Sequence, residues 1–371
     1  MGGRNLHEKA FDEATLAKLE IFENYTKSWL PTFVMQSSPV ICIFDLFAGT
    51  GYDINGVPGS PIRILQVIKQ FIGEIFRKNV KSIRLYLNEY EEEKYVLLKA
   101  AIEKFLAENK DVGRIVTYQI DQKDFNVIYP ELLPIISQFP SLVFLDQNGV
   151  KFTNIENLLK LEKTSQTDFL FFISSSYFKR FGETKEFSNY LKIDAAVLKS
   201  NPYKFIHEVV VKAIAQQLPT NTKLRLYPFS IKKQTNIYGL VFGAKHPRAV
   251  EKFLNVVWEK NPINGIANFD INEDIAKSGL QFNLFAEPKR TKIEKFNELL
   301  ESTLQEHKCV TNKFMYLFTL EQGHPLKHAN AHLKYLKKVG KIYYDTRTPK
   351  LGYKEAYKGD EPVSINWVNV K

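Results

Sequence analysis

Cysteine is almost missing from this chain, with only Cys42 and Cys309 in 371 residues. A disulfide framework or a cysteine-built metal centre is therefore not expected, and a reducing cytoplasm is the simplest location. No apolar run approaches the roughly 18 residues that a membrane span requires, so no membrane partner is expected. Residues 1–22 are charged and lack the apolar centre of a signal peptide. No G-x-x-x-x-G-K stretch is present, which argues against a P-loop nucleotide triphosphatase. The seven histidines form no ligand cluster with the acids. His324, His328 and His332 do recur every four residues and so share a helical face. With no cysteine or carboxylate close in sequence, they are expected to pack or to contact phosphate, and no metal site is assigned.

What the chain does have is bulk and positive charge. Hydrophobic residues make up 44% of it, enough for a sizeable core and two or three domains. Lys and Arg number 51 against 41 Asp and Glu, a formal charge of +10 that favours polyanionic partners.

The rest is organised around residues 40–61. Val40 to Phe44 reads as a short buried parallel strand, ending in Asp45. Phe47, Ala48, Gly49, Thr50 and Gly51 follow as a small-residue turn, and a second turn, Gly59-Ser60-Pro61, opens a helix. Ligands of open α/β sheets sit outside the carboxyl ends of strands, where glycine lets the backbone approach closely. An acid beside two glycines suits a ligand with a polar head and a nucleoside body.

An amphipathic helix is expected over residues 10–30, stopping at Pro31. Further strands are expected at 82–87, 115–120, 141–145 and 169–173, alternating with helices, which argues for βαβ units and a parallel sheet. Their tips carry Glu89, Asp121 or Asp124, and Asp146. Two antiparallel strands, 224–229 and 237–242, and a helix over 249–258 are expected to close the same domain. Residues 259–290 read as a surface excursion, and a second domain is expected from 291 to 371.

That C-terminal stretch reads as three helices followed by a two-stranded ribbon, the pattern of a winged helix-turn-helix. Nine Lys or Arg lie between His324 and Lys358, against Asp345 and Glu355. Lys327, Asn330 and Lys334 fall on one helical face, with His328 and Lys338 beside it. Such a face could meet a DNA or RNA groove while Arg347 and Lys350 touch phosphate. The alternative is a solvated basic helix in a protein-binding module.

The string Asp45-Leu46-Phe47-Ala48-Gly49-Thr50-Gly51 resembles motif I of class I S-adenosylmethionine-dependent methyltransferases. With Gly59-Ser60-Pro61, Asn88-Glu89-Tyr90, Phe144-Leu145-Asp146 and residues 238–248 in order, nearly the whole chain resembles the bacterial three-Cys-motif partner proteins. The resemblance implies a Rossmann-like class I methyltransferase domain over 1–290, S-adenosylmethionine as cofactor, and a partner carrying a three-cysteine motif. It implies cofactor contacts at Asp45, Phe47, Ala48, Gly49 and Gly51. Glu89 would accept from the ribose hydroxyls and Asp124 would lie near the adenine, with Asp121 as the alternative. Asp146 would face the reacting group. Base amino-methyltransferases carry Asp/Asn-Pro-Pro-aromatic here, whereas this chain has Asp146-Gln147-Asn148-Gly149, with no aromatic in the motif itself and Phe152 nearby. The departure counts against base N-methylation, and the absence of a cysteine after this strand counts against C5-cytosine methylation. Two functions follow: a methyltransferase-like enzyme acting on or with nucleic acid, or a non-catalytic scaffold of the same fold that binds nucleic acid and recruits a partner enzyme.

Overall fold

The structure is a computed structural model and describes residues 10–147, 154–174, 200, 203–273 and 290–368. It divides into two compact units, Met1–Lys245 and His246–Lys371.

The first unit is built on a seven-stranded sheet in the order β3-β2-β1-β4-β5-β7-β6. Strands β1 (Val40–Asp45), β2 (Ser82–Asn88), β3 (Val116–Asp121), β4 (Ser141–Leu145) and β5 (Thr167–Ser174) are parallel. Strand β7 (Asn236–Ala244) runs antiparallel to β5, and β6 (Arg225–Lys233) antiparallel to β7. Helices cover both faces, so the central strands are apolar almost throughout; every residue of β4 is buried. On one face α6 (Phe125–Gln138), α7 (Ile155–Lys163) and α8 (Ile206–Gln217) bury Ile128, Leu158 and Val210 against Val143 and Phe171. The architecture is a mixed, mostly parallel α/β sheet, as the alternation of strands and helices in the sequence leads one to expect. The strand order reverses between β1 and β4, which places a topological switch point at their carboxyl ends.

The first helix, α1 (Glu13–Met35), runs past Pro31 instead of stopping there. Leu30 and Val34 are both buried, and their packing outweighs the one backbone hydrogen bond that proline removes. α1 lies on the sheet through Phe22, stacked on Phe144 at 4.2 Å, and through Tyr25, whose hydroxyl donates to Asp168 at 2.7 Å.

Two glycines of the Tyr-Gly-Leu-Val-Phe-Gly-Ala stretch in β7 owe their identity to packing. A Cβ at Gly239 would stand 2.2 Å from the His207 ring, and one at Gly243 would stand 2.2 Å from the Phe169 ring.

The second unit begins earlier than the expected 290/291 boundary. α9 (Pro247–Lys260) packs with the C-terminal helices instead of closing the first sheet: Tyr316 Oη donates to Glu251 at 3.0 Å, and Trp258 Nε1 to the Gly323 carbonyl at 2.9 Å. Residues 261–269 are a packed turn, since buried Asn264 accepts from the amides of Ile266 and Ala267 and donates to the Phe269 carbonyl. Residues 274–289, the remainder of the expected excursion, lie outside the described residues. Helices α10 (Lys292–His307), α11 (Asn312–Glu321) and α12 (Leu326–Lys338) pack with a three-stranded antiparallel sheet in the order β8-β10-β9. β9 (Ile342–Tyr343) and β10 (Ser364–Trp367) were expected as a ribbon; β8 (Cys309–Thr311) was not. Ala329, Leu333 and Leu336 put one face of α12 into this core with Phe296, Leu300 and Ile365. Among the described residues, no helix is long and apolar enough to cross a membrane.

Candidate functional site

The carboxyl ends of β1, β2 and β4 bring together most of the acids singled out in the sequence. Asp45 ends β1 and is fully buried. Its Oδ1 accepts weakly from the Phe47 amide at 3.4 Å, the Ser60 hydroxyl donates to the carboxylate, and Oδ2 has no hydrogen-bond partner. Burial pushes this carboxyl up to about 7; Ser60, the Phe47 amide and the Lys18 ammonium oppose the rise, and the Asp146 charge adds to it. A buried acceptor left without a donor is costly, so the arrangement suits a cationic or N–H-bearing group arriving from the crevice.

The turn after β1 is tied to the tip of β2. Ala48 N–H donates to the Asn88 carbonyl at 3.0 Å, and Gly49 N–H to Glu89 Oε2 at 2.9 Å. The other Glu89 oxygen accepts from Glu91 N–H at 3.0 Å. A carboxylate offers about four lone pairs, so this anchored Glu89 keeps capacity for two hydroxyl donors. Gly49 (φ +66°) and Gly51 (φ +86°) take left-handed conformations that β-carbon-bearing residues rarely adopt. Gly51 has a second reason: a Cβ there would stand 2.9 Å from Ala101 Cβ on α4 (Glu92–Glu108). It therefore serves close helix packing as much as ligand approach. Phe47 turns toward the core and stacks on Phe125 at 5.5 Å. Asp124 caps α6, accepting from Asn126 N–H at 2.8 Å, and stays exposed at the rim.

Asp146 stands past the end of β4, on the strand next to β1. Its carboxylate is not open to an amine on all sides. Lys18 of α1 donates to Oδ2, and the same ammonium lies 4.6 Å from the centroid of the Phe172 ring. Asn148, Gly149 and Phe152 lie outside the described residues. Sequence reasoning missed Lys18, Ser60 and Asp53. Asp53 accepts the backbone N–H groups of Phe11, Asn55 and Val57, which closes the loop between the two glycine turns and ties it to the start of α1. The signal for Lys18 was positional, because it falls between Ala14 and Phe22 on the buried stripe of its helix. Cys42 is buried in β1, where burial raises its thiol to about 12 and leaves it unreactive. Among the described residues no group of three or more His, Cys, Asp or Glu is placed to hold a metal.

The second unit holds an open groove of about 800 Å³ between α12 and residues 348–355, lined by Lys327, Asn330, Lys334, Thr348, Lys350 and Glu355 among others. Lys350 has φ +47°, and its carbonyl accepts from Nδ2 of buried Asn312 at 3.1 Å. The Asn312 Oδ1 in turn accepts from Val363 N–H at 3.1 Å, so one buried amide holds this segment to β10. Lys338 and Arg347 are exposed but do not line the groove. His328 does not face it as a cation either. Its ring packs edge-on against Trp258 at 4.5 Å, and burial lowers its pKa to about 4. His324 is buried against Phe296 and falls to about 2 for the same reason, while His332 bonds to Glu301 at 3.0 Å.

No protein-family model matches the chain, and the comparison with curated proteins finds no match. Among solved structures, Trm1 from Pyrococcus horikoshii, in complex with S-adenosyl-L-methionine, is similar over 68% of this chain and 61% of its own, at 12% identity and a TM-score of 0.38. The O-methyltransferase TomG from Streptomyces achromogenes, in complex with the same cofactor, is similar over 63% of this chain and 90% of its own, at 13% identity and a TM-score of 0.32. A spermidine synthase in complex with a transition-state analogue is similar over 73% of each chain, at 13% identity and a TM-score of 0.33.

Proposed function

We propose that the first unit binds S-adenosylmethionine at the β1–β4 switch point and that the chain is a methyltransferase-like protein acting on or with nucleic acid. The observation that carries this reading is the buried, unpartnered Oδ2 of Asp45 beneath a left-handed glycine turn anchored by Glu89. The residues present fit the group. Asp45 would hold the amino-acid ammonium, Glu89 the two ribose hydroxyls, and the Gly49 turn would let the backbone lie against the ligand. When bound, the cofactor supplies an electrophilic methyl on a sulfonium. The chain's own contribution would be alignment, with Asp146 and Lys18 set at the neighbouring strand tip where an acceptor would enter.

In this reading the second unit is a winged helix-turn-helix whose helix α12 and following loop present Lys327, Asn330, Lys334 and Lys350 to a phosphate backbone in one groove. The partner with a three-cysteine motif belongs to the same proposal and rests on the sequence resemblance. A second reading, a scaffold that binds nucleic acid without methyl transfer, draws support from the Lys18–Asp146 ion pair, which occupies one oxygen of the acid that would orient an amine.

Calorimetry with S-adenosylmethionine and S-adenosylhomocysteine tests the cofactor claim. Wild type is expected to bind both, and Glu89→Ala to bind at least about tenfold more weakly through loss of the ribose contacts. An absence of heat with wild type removes the cofactor, and the enzymatic reading with it.

A further inference from the structure

We propose that Lys18 is the positioning residue of this crevice: it pairs with Asp146, offsets the charge that Asp146 sets beside Asp45, and so favours the carboxylate form of Asp45 that meets the ammonium of the incoming cofactor. The claim rests on the cofactor reading above for its ligand, and on the geometry of α1 for Lys18 itself.

A lysine at 7% exposure is unusual unless it is paired. Lys18 stands on the buried stripe of α1, whose position is fixed from several sides. Phe22 stacks on Phe144 of β4, Tyr25 bonds to Asp168 of β5, and Asp12 at the N-cap both accepts from Thr15 N–H and pairs with Lys233 of β6. The ammonium is thus delivered to Asp146 and to the face of Phe172 by a rigid helix, not by a mobile surface arm.

Asp45 and Asp146 stand at adjoining strand tips, since Asp45 pairs with Phe144 in the β1–β4 register and Leu46 N–H donates to the Phe144 carbonyl at 3.3 Å. Like charges on neighbouring tips, one of them fully buried and the other half-buried, would favour a proton on the buried one. The groups that act on the Asp45 carboxyl are Ser60 from α2 (Ser60–Gln70) and the Phe47 amide by hydrogen bonds, and Asp146 from the end of β4 and Lys18 from α1 by charge. Lys18 is the only cation of that set. With both acids ionised the trio carries −1, and S-adenosylmethionine, with an ammonium, a sulfonium and a carboxylate, carries +1. Removing Lys18 would leave −2, which protonation of Asp45 would relieve, so the acceptor for the ammonium would be lost.

The test uses the full chain with Lys18→Met, Lys18→Arg, Asp146→Asn and the double variant Lys18→Met/Asp146→Asn. The first readout is the titration of the Asp45 carboxyl carbon by NMR without ligand. Lys18→Met should raise its midpoint by about one pH unit or more, Lys18→Arg should leave it near wild type, and the double variant should bring it back. Asp146→Asn alone should lower it, which keeps the claim testable if Lys18→Met does not fold. The second readout is calorimetric affinity for S-adenosylmethionine, expected to fall about tenfold at neutral pH in Lys18→Met and to recover as pH rises. An Asp45 midpoint that stays put in both Lys18→Met and Asp146→Asn overturns the counter-ion role. If wild type binds no cofactor while the midpoint moves as stated, the cofactor reading has failed and the counter-ion role stands.

Discussion

Replacing Asp45 with asparagine should remove a pH-dependent loss of stability from the first unit while damaging its site. The carboxyl is held at about 7 in the fold against an ordinary 3.8, chiefly by burial. An acid whose folded pKa lies above its unfolded one stabilises the fold while protonated. It loses that contribution as pH rises from the unfolded value to the folded one. Between pH 5 and pH 7 the folded state holds a proton that the unfolded chain has released, so wild type loses about 1.4 kcal/mol per pH unit, or about 2.7 kcal/mol over the interval. Above pH 7 the loss levels off. Asparagine has no such slope, and its fixed cost, an amide N–H₂ placed where Oδ2 lacks a partner, is the same at both ends of the interval and cancels in the comparison. Relative to wild type, Asp45→Asn should therefore gain about 2.7 kcal/mol on going from pH 5 to pH 8. Urea unfolding followed by Trp29 fluorescence, in a background with Trp258 and Trp367 changed to phenylalanine, isolates the first unit. A gap between variant and wild type that is equal at the two pH values would refute both the burial argument and the charge state assigned to this acid. The same variant should bind S-adenosylmethionine at least about tenfold more weakly, because an amide cannot pair with an ammonium as a carboxylate does.

Three further outcomes follow from packing and charge. Gly243→Ala sets a Cβ 2.2 Å from the Phe169 ring and should cost about 1–3 kcal/mol in the first unit; an unchanged urea midpoint would mean that β5 and β7 can part without penalty. Changing Lys327, Lys334 and Lys350 together to glutamine should weaken duplex binding and lower the slope of log affinity against log salt by about 2.7, three phosphates at 0.9 each. A slope that does not move would place phosphate contact outside this groove. His328→Ala should lower the stability of the second unit, since its ring packs on Trp258, and should leave the salt slope alone because a histidine held near 4 is neutral at pH 7; a slope reduced by about 1 would show instead that it meets phosphate as a cation.

What could be read from the chain, and what could not, divides by the range of the interaction. β1 and β4 were legible because a parallel strand covered on both faces must be apolar along its whole length, and the residue where that run stops marks the ligand side of the sheet. The acids at those ends, Asp45, Glu89 and Asp146, were legible for the same reason. β8 was not, since three residues make no period, and it exists only because Val310 has Ile365 to pair with. His328 looked like part of a basic face because the four-residue spacing that aligns it with His324 and His332 says nothing about the indole of Trp258, 70 positions earlier. Lys18 is the sharpest instance. Patterning arguments count a lysine as solvated, and this one finds its carboxylate 128 residues away. Yet the contradiction was local and visible in principle: a helix that buries Ala14, Ala17, Ile21, Phe22 and Tyr25 cannot turn position 18 to water. A charge on the buried stripe of a helix demands a counter-charge, and on a helix laid across the switch point of a parallel sheet the acids at the strand tips are the groups within reach. The same reasoning that finds the crevice from its glycines thus finds the ion that sets its charge.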